Sequence, residues 1–131
     1  MINGFLPVSI GASNDDFSGS TEANIFPDEF KYFAQRLVTY PRETGDQVFF
    51  SSGGDDEAWS SYVYLGIQTL ESNQKLVLQI RLRRNEPEIK SGGTAFFIAV
   101  QKEDLNRLGQ ALVDWLGSPD ETLVFPFSEP A

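Results

Sequence analysis

Neither cysteine nor histidine occurs in this chain of 131 residues. Their absence excludes a thiol nucleophile, an imidazole base, a Ser-His-Asp triad, a haem-ligating histidine and a Cys/His zinc site. Carboxylates, lysine, tyrosine and hydroxyls are what remains for chemistry, and no disulfide framework is present, which is compatible with any compartment. Positive charge is also scarce: ten Lys and Arg stand against nineteen Asp and Glu, a net charge of −9. Nucleic-acid binding draws its affinity from Lys and Arg, so this balance argues against a nucleic-acid partner. No stretch approaches the ~20 apolar residues of a membrane span. The first residues lack the basic segment and long apolar run of a secretory signal, so the expected address is the cytoplasm, with no membrane partner. What the chain does have is 40% hydrophobic content and eleven Phe, too rich for disorder. Its length predicts one domain over 1–131, large enough to bury about two-thirds of its unfolded surface.

Along the chain, 5–10 reads as a short strand, and 11–24, small, polar and acidic without an apolar period, as a loop. From Phe26 the period changes. Phe30, Phe33, Ala34, Leu37 and Val38 recur at helical spacing behind Pro27 and the acids Asp28 and Glu29, predicting a helix over about 27–40 that ends at Tyr40-Pro41. A short strand at 47–51 follows. Two runs then alternate with period two. Val63, Leu65 and Ile67 oppose Tyr62, Tyr64 and Gln68; Leu76, Leu78, Ile80 and Leu82 oppose Val77, Gln79, Arg81 and Arg83. The five-residue gap between them suits an antiparallel hairpin. Phe96, Ile98 and Val100 repeat the alternation against Ala95, Phe97 and Ala99. Over 102–116, Leu105, Leu108, Leu112 and Trp115 form one apolar helical stripe, with Glu103 and Asp104 at its positive end and Gly117 as C-terminal cap. Gly109 inside this helix costs about 1 kcal/mol against Ala, which points to a close approach to the sheet. The segment 118–131 is a final edge strand or a packed tail. The fold class expected is α+β: a two-layer sandwich of an antiparallel sheet of four to six strands with two helices packed on one face.

Few residues point to chemistry. Asn14-Asp15-Asp16-Phe17-Ser18-Gly19 begins like a calcium loop, but its twelfth position is Ile25 where a bidentate Glu is needed, so it reads as a solvated acidic loop. Asp55, Asp56 and Glu57 beside Gly53-Gly54 put three carboxylates on a turn that suits a cation or electrostatic docking of a basic partner, although adjacent acids in a loop are more often simply solvated. Gly53-Gly54 and Gly92-Gly93 lack the Lys and helix start of a phosphate loop. Arg81, Arg83 and Arg84 form the only basic cluster. On the sheet the first two lie near Tyr64, Phe97 and Gln79, a combination found on single-strand RNA platforms and in protein-interface hot spots. An ordinary solvated sheet face with cross-strand pairs is the first expectation, a protein interface a close second, and nucleic acid, against a net charge of −9, a distant third. The partner-binding candidates are therefore Tyr62, Tyr64, Gln79, Arg81, Arg83, Phe97, Asp55, Asp56 and Glu57; no catalytic residue, metal ligand or cofactor is expected.

The spacing of Phe30-x-x-Phe33 with Leu37, Trp59-Ser60 leading into a strand, the run 76–83, and Phe96-Phe97-Ile98-Ala99-Val100 running into Glu103-Asp104-Leu105-x-x-Leu108 resembles a bacterial family of small immunity-like domains. These are the WapI-type immunity proteins and a related uncharacterised group. The likeness covers about 26–116. It implies a non-enzymatic cytoplasmic protein that binds and neutralises a cognate toxin, with no catalytic residue to carry over. The acidic composition fits this, since it would steer a basic toxin domain. An adaptor or ligand-binding domain using the exposed sheet face, or a carboxylate-based enzyme, are the other expectations.

Overall fold

A computed structural model describes residues 6–41, 47–53, 61–69, 75–84, 92–118 and 122–127. Two antiparallel sheets and two helices make an α+β fold. Strands β1 (Leu6–Ser13) and β2 (Ser18–Ile25) pair as a hairpin, and helix α1 (Pro27–Val38) follows. Strands β3 (Val48–Gly53), β4 (Ser61–Thr69), β5 (Leu76–Arg84) and β6 (Gly92–Ala99) form the larger sheet in chain order, and helix α2 (Lys102–Leu116) closes the sequence of elements. Sequence periodicity and structure agree on both helices and on the four strands of the larger sheet.

Alternation sets the inner face of that sheet. Val63 pairs with Leu82, Leu65 with Ile80 and Ile67 with Leu78, while Ile80 pairs with Phe96 on its other side, so the apolar side chains line up across strands. Val48, Phe50, Val63, Ile67, Leu78, Ile80, Leu82 and Phe96 are buried, and Leu65 and Ile98 are half-buried. Helix α1 brings Phe30, Phe33 and Leu37 into the same core, and its buried Ala34 lies at the crossing with α2. Phe30 is the hub of an aromatic cluster, 5.0 Å from Phe50 and 6.4 Å from Trp115, both edge-on.

The segment 11–24, expected as a loop, is instead most of the hairpin, with a turn only at 14–17. Leu6, Val8, Ile10 and Ala12 of β1 and Gly19, Thr21, Ala23 and Ile25 of β2 share the inward side. β2 lies across the larger sheet near the end where β3 and β5 finish and β4 and β6 begin. Gly19 meets Thr94, Thr21 Oγ1 donates to the Arg83 carbonyl at 3.4 Å, and Ser52 Oγ donates to the Asn24 carbonyl at 2.9 Å. Small inward residues make this approach possible, since a Cβ on Gly19 would collide with the Thr94 methyl. The hairpin therefore covers part of the apolar face that the two helices were expected to cover alone.

Helix α2 packs chiefly on α1. At the crossing a Cβ on Gly109 would lie 2.5 Å from the Ala34 carbonyl oxygen and 2.6 Å from the Val38 nitrogen, so this glycine serves helix–helix contact, not the approach to the sheet expected from sequence. Leu105 is fully buried, while Leu108, Leu112 and Trp115 are only half-buried against the core. Gly117 is the C-cap as expected, but with φ −74° it holds a right-handed conformation open to any residue. Residues 122–127 form no strand; Phe127 packs on the core, and Arg107 lies over the Phe125 ring at 5.6 Å. Among the described residues no helix is long and apolar enough to cross a membrane.

Candidate functional site

The outer face of the larger sheet carries the side chains that alternation left over. Antiparallel register sets two rows across it: Ser51, Tyr64, Arg81 and Ala95, then Phe49, Gly66, Gln79 and Phe97. Tyr64 does not stand upright. A Cβ on Gly66 would lie 2.5–2.8 Å from its Oη, Cε1 and Cζ atoms, so the ring leans over the glycine and occupies the space a side chain there would take. Lying down brings it beside Phe49, with ring centroids 6.0 Å apart and planes 15° from parallel.

On its other side, the Arg81 guanidinium carbon sits 5.5 Å from the Tyr64 ring centre, within cation–π range. With the Gln79 amide oriented so that its oxygen faces Arg81, that oxygen accepts from Nε at 3.1 Å and from Nη2 at 2.9 Å. Phe49, Tyr64, Arg81 and Gln79 thus form a continuous ladder across three strands. Phe97 stands next to Gln79 on β6, 44% exposed. Tyr62 pairs with Arg83 one row beyond, both half-buried. Of the sequence candidates, Tyr64, Gln79 and Arg81 are joined in direct contact, Phe97, Tyr62 and Arg83 flank them, and Asp55, Asp56 and Glu57 lie outside the described residues.

Sequence reading missed Phe49, which is 60% exposed at one end of the ladder. The signal was there: Val48 and Phe50 both face inward, which turns Phe49 out. Three consecutive apolar residues hid that alternation. Val77, assigned outward, does have outward register opposite Gln68 and Ala99, yet it is buried.

The calcium-like start at Asn14 has a different structural role. Its Oδ1 accepts the backbone N–H groups of Asp16 and Phe17 at 2.8 and 2.7 Å, closing the hairpin turn, while its Nδ2 donates to the Phe97 carbonyl at 2.9 Å. Among the described residues no three His, Cys, Asp or Glu side chains converge as a metal site. A shallow concavity of about 390 Å³ lies where Asn14 and Phe17 meet Gln79 and Phe97, and one of about 410 Å³ lies between β3 and the first turn of α1. The outer face offers stacking surface and arginine donors, while the concavity beside β3 is lined by the two acids Asp28 and Glu29. Comparison with protein-family models, curated proteins and solved structures finds no match.

Proposed function

We propose that this protein acts by binding another protein and that it is of the immunity type, neutralising a cognate toxin by direct contact. The observation that supports this most is the Phe49–Tyr64–Arg81–Gln79 ladder on the outer sheet face, where Phe49 is exposed. Aromatic rings and arginine are the side chains that dominate interface hot spots. Here they are held in place by one another before any partner arrives, so less conformational freedom is lost on binding. The net charge of −9 supplies long-range attraction for a basic toxin domain. Arg81, already laid against Tyr64 and Gln79, then serves as a donor to the partner's carboxylates or backbone carbonyls.

Affinity capture from the native cell, followed by binding measurements with the purified partner, tests this reading. Tyr64→Ala and Arg81→Ala are expected to speed dissociation by roughly thirtyfold or more, the effect of losing an interface anchor. Raising salt is expected to slow association while changing dissociation little. A preparation that binds no partner but turns over a small substrate, and loses that turnover when one carboxylate is replaced, would overturn the proposal in favour of a carboxylate enzyme.

A further inference from the structure

The two edges of the larger sheet are treated differently. At β6 the hairpin tip guards the edge: Asn14 Nδ2 caps the Phe97 carbonyl, and Phe17 stacks on Phe96 with centroids 6.3 Å apart. At β3 no such cover exists among the described residues. β3 is hydrogen-bonded to β4 on one side, and no described strand pairs with the other. Its sequence, Val48-Phe49-Phe50-Ser51-Ser52-Gly53, has no charge and no proline, so it lacks two of the devices that stop a bare edge from accepting another strand.

Beside this edge runs the concavity formed with the first turn of α1, lined by Asp28, Glu29, Tyr32, Phe49, Phe50 and Ser51. Tyr32 and Phe49 are each 60% exposed and supply its apolar walls. Asp28 and Glu29 are exposed at its rim, and among the described residues neither carboxylate is in an ion pair. An open backbone edge, two aromatic walls and two acids together specify a ligand: an extended segment with exposed backbone donors and acceptors, alternating apolar side chains and Lys or Arg. We infer that the β3 edge is a strand-addition site for a basic, extended peptide segment of a partner protein. A second copy of this chain is the poorer occupant, because pairing two β3 edges would bring two pairs of like-charged acids together on molecules that each carry a net charge of −9. The site shares Phe49 with the outer-face ladder, but its pairing groups are the backbone of β3 and its charges are those of the first turn of α1, neither of which the ladder uses.

The probe is a synthetic hexapeptide alternating Lys and Val, compared with its Glu–Val counterpart and with a version N-methylated at alternate residues. Amide hydrogen exchange and amide NMR shifts are read residue by residue on the full chain. The expected result is slowed exchange at alternate amides of Val48–Gly53 with the Lys peptide, and loss of that protection with both the Glu and the N-methylated peptides. Asp28→Asn combined with Glu29→Gln should weaken the Lys peptide roughly fivefold at low salt. Removing the same charge on α2, by Glu103→Gln with Asp114→Asn, should leave affinity within about twofold, separating the local acids from the overall field. Equal binding of the Glu peptide, protection confined to β6, undiminished protection with the N-methylated peptide, or β3 protection that rises with protein concentration in the absence of peptide would each overturn the proposal. Because the readout is the β3 amides with a defined peptide, failure here leaves the outer-face test untouched, and the reverse also holds.

Discussion

Asp104 is placed by sequence and given its burden by packing. An acid in the first turn of a helix is favoured wherever it points. Here the side chain is 1% exposed, accepts the Gln101 backbone N–H at 3.3 Å and pairs with Arg107, three residues on. Arg107 is itself 61% exposed, so water screens that pair and the cap is the stronger contribution. Asp104→Ala is expected to lower unfolding free energy by about 1–2 kcal/mol, whereas Arg107→Ala should change it by less than about 1 kcal/mol. Urea midpoints at unchanged slope read both. Gly109 behaves in the opposite sense to its propensity. Alanine would favour an isolated helix by about 1 kcal/mol, but its Cβ would press on the backbone of Ala34 and Val38, which has nowhere to move without opening the α1–α2 crossing. Gly109→Ala should therefore destabilise by about 1–3 kcal/mol, measured by the same titration. That a glycine sat inside the stripe was legible in the sequence; that α1 was the surface it approached was not.

Among the elements, the strands of the larger sheet and both helices follow from periodicity, and the α2 bounds Lys102–Leu116 coincide with the apolar stripe read over 102–116. The hairpin did not announce itself in the same way. Its inward residues on β2 are Gly19, Thr21, Ala23 and Ile25, so alternation is carried by small side chains against Ser18, Ser20, Glu22 and Asn24, and a search for large apolar residues passes over it. The size of those residues is what lets β2 lie close on another sheet. The outer-face ladder depends on a similar economy of space. Gly66→Ala places a methyl where the Tyr64 ring lies, but the ring edge can swing away, so stability should stay within about 0.5 kcal/mol. The Phe49–Tyr64–Arg81 stack should be lost with it. Displaced ring-current shifts at Phe49 and Arg81, together with weaker partner binding, are the expected readout; an unmoved Tyr64 resonance would contradict the leaning of its ring over Gly66.

For the molecule as a whole, the core is one apolar layer between the larger sheet on one side and α1, α2 and the hairpin on the other. Ile80, 1% exposed near its centre, pairs with Leu65 and Phe96 across strands. Ile80→Ala should cost about 2–5 kcal/mol by calorimetry or urea titration, while the neighbouring exposed Arg81→Ala should cost less than about 1 kcal/mol. The contrast between adjacent residues tests which face is inside. Sequence alone determined that face, because a strand's side chains alternate whatever its neighbours are, and it determined where the helices run, because 3.6-residue periodicity is equally local. It also placed Tyr64, Gln79 and Arg81 on one surface. Only tertiary structure decided that Phe49 completes their stack, that Gly109 meets α1, that the hairpin crosses the sheet, and that its tip guards β6 while no described strand pairs with the far side of β3. Each of these depends on which distant segments come together. Local periodicity assigns a residue to a face of its own element, but pairing register and packing select the neighbour it finds there.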